Sequence, residues 1–293
     1  MLTTSFYVVM AFTAGAVLLG WVYFRNYQLT RPSIGVLNLG DVAFMIGVII
    51  LIPYLYLALP LWLVTAIFAL AMLSILLFLG EPVLKSRWAN WVVALSLIGA
   101  DVLANLYFGA TSATFFLVNN AVLVLAVVGV TSLWAQSGIK ARDVAVLGGV
   151  LAVYDLVATA FLPLMTDLIE RLASIPFAPV VSWGAGPERF VIGLGDLLLA
   201  TVFPLAMRKA FGRSAGISGM AINLGAIAAT MAFLQLARVE VGVPLMTGLG
   251  PLMVVQYAFW VRQRGQERTT WEYLRAEPST RFSTTNRISP RDT

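Results

Sequence analysis

Asp155 and Asp196 are each embedded in hydrocarbon. The first lies within VAVLGGVLAVYDLVATAFLPLM and the second within FVIGLGDLLLATVFPLAM. A carboxyl at membrane depth is costly, so it marks a functional site by default. Two of them on consecutive apolar segments point to one shared site. Carboxyls that share a site hold one proton between them, because both cannot ionise easily. The ionised member then takes a proton from water while the protonated member donates to a carbonyl oxygen. Such chemistry requires no metal, thiol or imidazole.

The composition agrees with that economy. The 293 residues include no cysteine and no histidine, which excludes thiol nucleophiles, disulfides, Cys/His zinc sites and Ser-His-Asp catalysis. No cofactor or metal is expected. The chain is 60% hydrophobic and 11% charged, against about 25% charged in soluble domains. Its charges fall mostly between long apolar runs near the ~20 residues a spanning helix needs. The fold class expected is all-α, a polytopic membrane helix bundle. A net charge of +5 is spread over connections and a tail, so it reads as membrane orientation and not as nucleic-acid binding.

Nine transmembrane helices are expected, at 4–24, 37–56, 60–80, 89–109, 112–134, 144–166, 190–207, 216–237 and 242–261. They make up a nine-helix transmembrane domain over 1–262, followed by a polar, basic tail over 263–293 expected to be disordered. The 167–189 connection opens with DLIERLASI, which suits a short amphipathic helix. Lys and Arg number 16 on the side holding the tail and 3 on the other, which puts the N-terminus outside and the C-terminus in the cytoplasm. At 1.5 Å per residue, Asp155 lies roughly 16 Å from the cytoplasmic end of span six, and Asp196 roughly 9 Å from the outer end of span seven. In a core about 30 Å thick the two carboxyls come to similar depth on antiparallel neighbours.

The glycines before Asp196 have a use of their own. Gly193 and Gly195 let another backbone approach closely. Tyr154 is placed to hydrogen-bond or stack beside the carboxyl that follows it.

Tyr154-Asp155 on the sixth span, Gly193-Leu194-Gly195-Asp196 on the seventh and a total of nine resemble the presenilin and signal peptide peptidase family of intramembrane aspartyl proteases. The resemblance covers about residues 1–262. It implies an endopeptidase whose dyad is Asp155 and Asp196, acting on transmembrane-helix proteins or signal peptides that must partly unwind. Membrane lipids are its other expected partners. The orientation looks like that of signal peptide peptidases, and the short six–seven connection looks like a prokaryotic cell-membrane homologue. The family's Pro-Ala-Leu motif is absent. Pro244-Leu245 is the nearest candidate for its role in shaping the substrate groove.

Other readings compete. The same aspartates would serve a proton- or cation-coupled transporter, although no internal repeat is visible. A prepilin-type peptidase also uses Gly-x-Gly-Asp, with fewer spans and often a cysteine-containing region. Asp41 reads as boundary solvation at the cytoplasmic end of span two. Asp101 reads as a helix hydrogen bond, to Asn105 or to Asn119 and Asn120 of the next span. Asn223, Gln235 and Gln256 read as interhelical glue.

Overall fold

The computed structural model describes residues 3–27, 39–162, 164–186, 189–237, 245–268 and 272. Among these the chain is mostly helical. The long helices are α1 (Thr4–Asn26), α2 (Leu39–Ala58), α3 (Leu61–Gly80), α4 (Arg87–Phe108), α5 (Ala113–Gln136), α6 (Ala141–Leu156), α8 (Leu194–Phe211), α9 (Arg213–Ala237) and α10 (Leu245–Arg264). A short amphipathic α7 (Leu164–Leu172) lies where DLIERLASI begins. Five helices (α1, α3, α4, α5 and α9) are long and apolar enough to cross a membrane among the described residues, and α2 holds a shorter apolar stretch, Ala43–Ala58.

Chain breaks follow local chemistry. Ser86 and Ser112 cap α4 and α5, their hydroxyls accepting from the Ala89 and Phe115 amides. These bonds satisfy donors that a helix start leaves orphaned. Gly109 ends α4 and Gly212 ends α8, both with positive φ, which glycine adopts without steric cost.

Helices α5 and α8 form the centre. In α8 every residue from Leu199 to Phe211 is buried, and α1, α5, α6, α9 and α10 pack around it. The most extensive helix pairing is that of α6 with α10. It crosses at glycines: a Cβ on Gly250 would run into the Gly148 carbonyl, and one on Gly148 would meet Met253 Sδ at 3.0 Å. Small residues allow such backbone-to-backbone approach where lipid offers no hydrophobic drive.

Two departures from the sequence expectation matter for the site. Span six was expected as one helix over 144–166, but α6 ends at Leu156 and continues as a π-helical turn, Val157–Phe161. Span seven was expected from residue 190. Instead Phe190–Gly193 form strand β2, paired antiparallel with β1 (Val180–Trp183), and helix begins only at Leu194. A purely α-helical fold is thereby corrected by one β-hairpin. Short apolar runs do not distinguish strand from helix by periodicity alone.

The tail also departs from expectation at its start. The Arg268 amide donates to the Ala210 carbonyl at 3.1 Å, and Arg264 Nη1 donates to the Phe211 carbonyl at 2.8 Å, which together close the C-terminal end of α8. Glu267 Oε2 accepts from the Ala141 amide at 3.0 Å, capping the start of α6. Cationic and anionic side chains here complement the helix ends they face. Apart from Glu272, the remainder of the tail from 269 onward lies outside the described residues.

Candidate active site

Asp155 is the penultimate residue of α6. Its carboxyl is held on both oxygens. Oδ2 accepts from the backbone N–H of Met246 at 3.1 Å, and Oδ1 accepts from the Thr159 hydroxyl at 3.4 Å. Met246 lies in the first turn of α10, where the first four amides have no partner within the helix. An acidic side chain is favoured at that end by the helix dipole. Thr159 comes within reach through the π-helical turn that follows Asp155, a feature found frequently at functional sites.

Asp196 sits in the first turn of α8, not deep along a helix begun at residue 190. Gly193 is the N-cap, and the Asp196 carboxyl three residues on lies close to it. The contact explains Gly193 directly: a Cβ there would come 3.3 Å from Asp196 Oδ2. A Cβ on Gly195 would meet nothing within 4 Å, and Gly195 is exposed. The fold leaves open space beside Asp196 on that side.

Helices α6 and α8 pack together, and the charge of Asp155 acts on Asp196. Both carboxyls are partly buried. The two acids are thus electrostatic neighbours at the same end of two packed helices. Tyr154 is half-buried, and its side chain packs against the main core. Its hydroxyl has no hydrogen-bond partner among the described residues, so the expected bond to the neighbouring carboxyl is not made. Leu245 opens α10 and also packs on the core, one residue before the amide that meets Asp155. Pro244 lies outside the described residues.

The hairpin beside Asp196 is held by groups that the sequence reading paired otherwise. The Leu194 N–H donates to the Pro179 carbonyl at 2.9 Å. This sets the alternation, so that Val180 and Ser182 on β1, and Val191 and Gly193 on β2, turn their backbone groups outward. On the β1 side, Asn119 Nδ2 donates to the carbonyls of Ala178 and Val180, both at 3.2 Å. Asn120 Nδ2 donates to the Ser182 carbonyl at 2.9 Å while its Oδ1 accepts from the Ser182 N–H at 3.1 Å. A side-chain amide therefore stands in for the next strand of a ladder.

Asp101 does not bond Asn105, Asn119 or Asn120. Its Oδ2 accepts from the Phe177 N–H at 2.7 Å, fixing a residue whose φ is 60°. Asn105 Nδ2 donates to the Ser174 carbonyl at 3.1 Å. Asp101 and Asn105 of α4 and Asn119 and Asn120 of α5 thus all bind the backbone that leads to β1 or β1 itself. Buried backbone groups must find partners, and in this segment those partners come from neighbouring helices. The signal in the sequence is a row of polar residues on apolar helices; their partners are backbone groups and not the side chains expected.

Elsewhere Asn223 Nδ2 donates to the Ala200 carbonyl at 3.3 Å and its Oδ1 accepts from Gln256 at 3.4 Å, tying α8, α9 and α10. Asp41 lies in the first turn of α2. No group of three or more acidic side chains among the described residues could hold a metal ion. No protein-family model matches the chain and no curated protein matches it in sequence.

Proposed function

We propose that this chain is an intramembrane aspartyl endopeptidase with Asp155 and Asp196 as its dyad. The reading rests above all on one observation: α6 and α8 pack together, with Asp155 next to the end of α6 and Asp196 in the first turn of α8, and the charge of Asp155 reaches Asp196. One carboxyl accepts a proton from the attacking water. The other protonates the scissile carbonyl oxygen; when the tetrahedral diol collapses it takes that proton back, while the first passes the water's proton to the leaving amine. The roles belong to the pair, since coupled acids titrate jointly. The resemblance to presenilins and signal peptide peptidases supports the same assignment. Five apolar helices support a membrane location. Nine spans, an external N-terminus, a cytoplasmic C-terminus and a prokaryotic cell membrane are part of the proposal.

The substrate is a transmembrane helix or signal peptide that partly unwinds, because an intact helix shields its carbonyls. The outward backbone groups of β2, which runs straight into the helix bearing Asp196, suit an extended segment added as a further strand. Gly195 leaves room for it beside the carboxyl. Leu245 helps shape the groove from α10, and Pro244 is proposed with it.

The test is reconstitution with a fluorogenic transmembrane peptide, comparing the wild type with Asp155→Asn and Asp196→Asn. Each substitution is expected to lower cleavage by at least about 10²-fold. The double variant should be little worse than either alone, because paired residues act as a unit. Cleavage that survives both changes would refute the assignment. Proton flux that depends on both acids without proteolysis would favour the transporter.

A further inference from the structure

A cavity of about 340 Å³ opens between α1, α3, α4 and α5, at the end of the bundle opposite the hairpin. It is lined by Leu19 and Tyr23 of α1, Leu76 of α3, Val93 and Leu97 of α4, and Val128 of α5, among others. None of its walls comes from α6, α8 or α10, so it is separate from the dyad. The lining is almost wholly apolar. Of the three polar side chains that line it, Tyr23, Tyr27 and Asn90, two are bonded to backbone: Tyr23 donates to the Leu79 carbonyl at 2.8 Å, and Asn90 donates to the Leu77 carbonyl at 2.7 Å. A water needs two to four polar partners, and this wall offers it little. An empty cleft would forfeit dispersion contacts along its whole length. The opening lies between helices that are apolar enough to span a bilayer, where the medium around them is acyl chain.

Among the described residues, the charged side chains that lie next to the lining in sequence are of one predominant sign. Arg25 lies in the last turn of α1, two residues past the lining Tyr23. Lys85 and Arg87 follow the lining Val83 and Leu84, and all three basic side chains are exposed. Glu81 is the acid among them. Basic groups at the mouth of an apolar cleft match a phosphate placed above an acyl chain.

We propose that this cleft is a binding site for one anionic phospholipid, its acyl chain between α1, α3, α4 and α5 and its phosphate among Arg25, Lys85 and Arg87. The site does not depend on how the dyad is read. The lipid would fill the volume between α3/α4 and the α1–α5 pair and hold the outer helices to the centre.

The experiment is native mass spectrometry of the full chain released from nanodiscs holding equal phosphatidylglycerol and phosphatidylcholine. One retained phosphatidylglycerol is expected, at least about fivefold over phosphatidylcholine. Val93→Trp fills the mouth and should remove the adduct. Leu103→Trp, on the same helix but outside the cleft, should leave it. Lys85→Gln with Arg87→Gln should erase the preference while some lipid of either kind remains bound. Circular dichroism and melting of each variant verify folding. Equal retention of the two lipids by the wild type, an adduct that survives Val93→Trp, or a second copy of the chain seated at the cleft would each overturn the proposal.

Discussion

The backbone N–H of Met246 donates to the carboxylate of Asp155 across 3.1 Å and 91 residues of chain. The start of α10 is thereby tied to the end of α6, and the acid is aimed by a helix that carries none of the paired carboxyls. That geometry depends on how closely α10 can approach α6.

Gly250 sets that approach. An added Cβ would strike the Gly148 carbonyl and come 2.8 Å from the Ala152 Cβ, whereas one on Gly248 meets nothing within 4 Å. Gly250→Ala is therefore expected to push the helices apart, cost about 1–3 kcal/mol by overpacking and reduce peptide cleavage at least tenfold. Gly248→Ala should leave both nearly unchanged. Melting temperature and turnover, measured together, check the contrast.

Gly193 and Gly195 should separate in the opposite sense from their shared motif. Gly193→Ala crowds the Asp196 carboxyl at 3.3 Å and is expected to lower turnover even with a small residue. Gly195→Ala is expected to be tolerated, while Gly195→Leu occupies the open space and raises KM more than it lowers kcat. Steady-state kinetics on one transmembrane peptide distinguish these outcomes.

Asn120→Leu keeps the volume but removes both hydrogen bonds to Ser182. Two buried backbone groups are left unpaired, at about 1–3 kcal/mol each. The hairpin should loosen, with faster amide exchange over 180–183 and 190–193, and cleavage should fall although both aspartates are intact. Protection factors from hydrogen exchange provide the measurement.

Glu267 gives the chain an acid-side dependence of stability. Burial pushes its carboxyl above the ordinary 4.5, opposed by hydrogen bonds from the Ala141 and Arg142 amides. Asp143 raises it further and Lys140 lowers it. A raised folded value means that the folded state binds more protons than the unfolded one. Stability is then fully present below about 4.5 and is lost as pH climbs through the folded value. Glu267→Gln removes that titration and should flatten melting temperature against pH over this range. An unchanged slope in the variant would assign the dependence to other groups.

Much of this protein was legible locally. Long apolar runs specify helices wherever they occur, because backbone groups in hydrocarbon must bond within their own segment. The approximate helix positions and the choice of Asp155 and Asp196 as a pair followed from hydropathy and from the cost of an acid amid apolar residues. What a single segment cannot encode is which backbone groups are satisfied from elsewhere. Phe190–Gly193 look like the start of a helix until Asn119 and Asn120 are seen to complete the facing strand. Asp101 looks like a partner for another side chain until Phe177 turns its amide inward. Met246 and Glu267 acquire their roles only through packing that joins distant parts of the chain. Hydrogen-bond partners separated by scores of residues are chosen by the tertiary fold, whereas a helix closes its bonds four residues away.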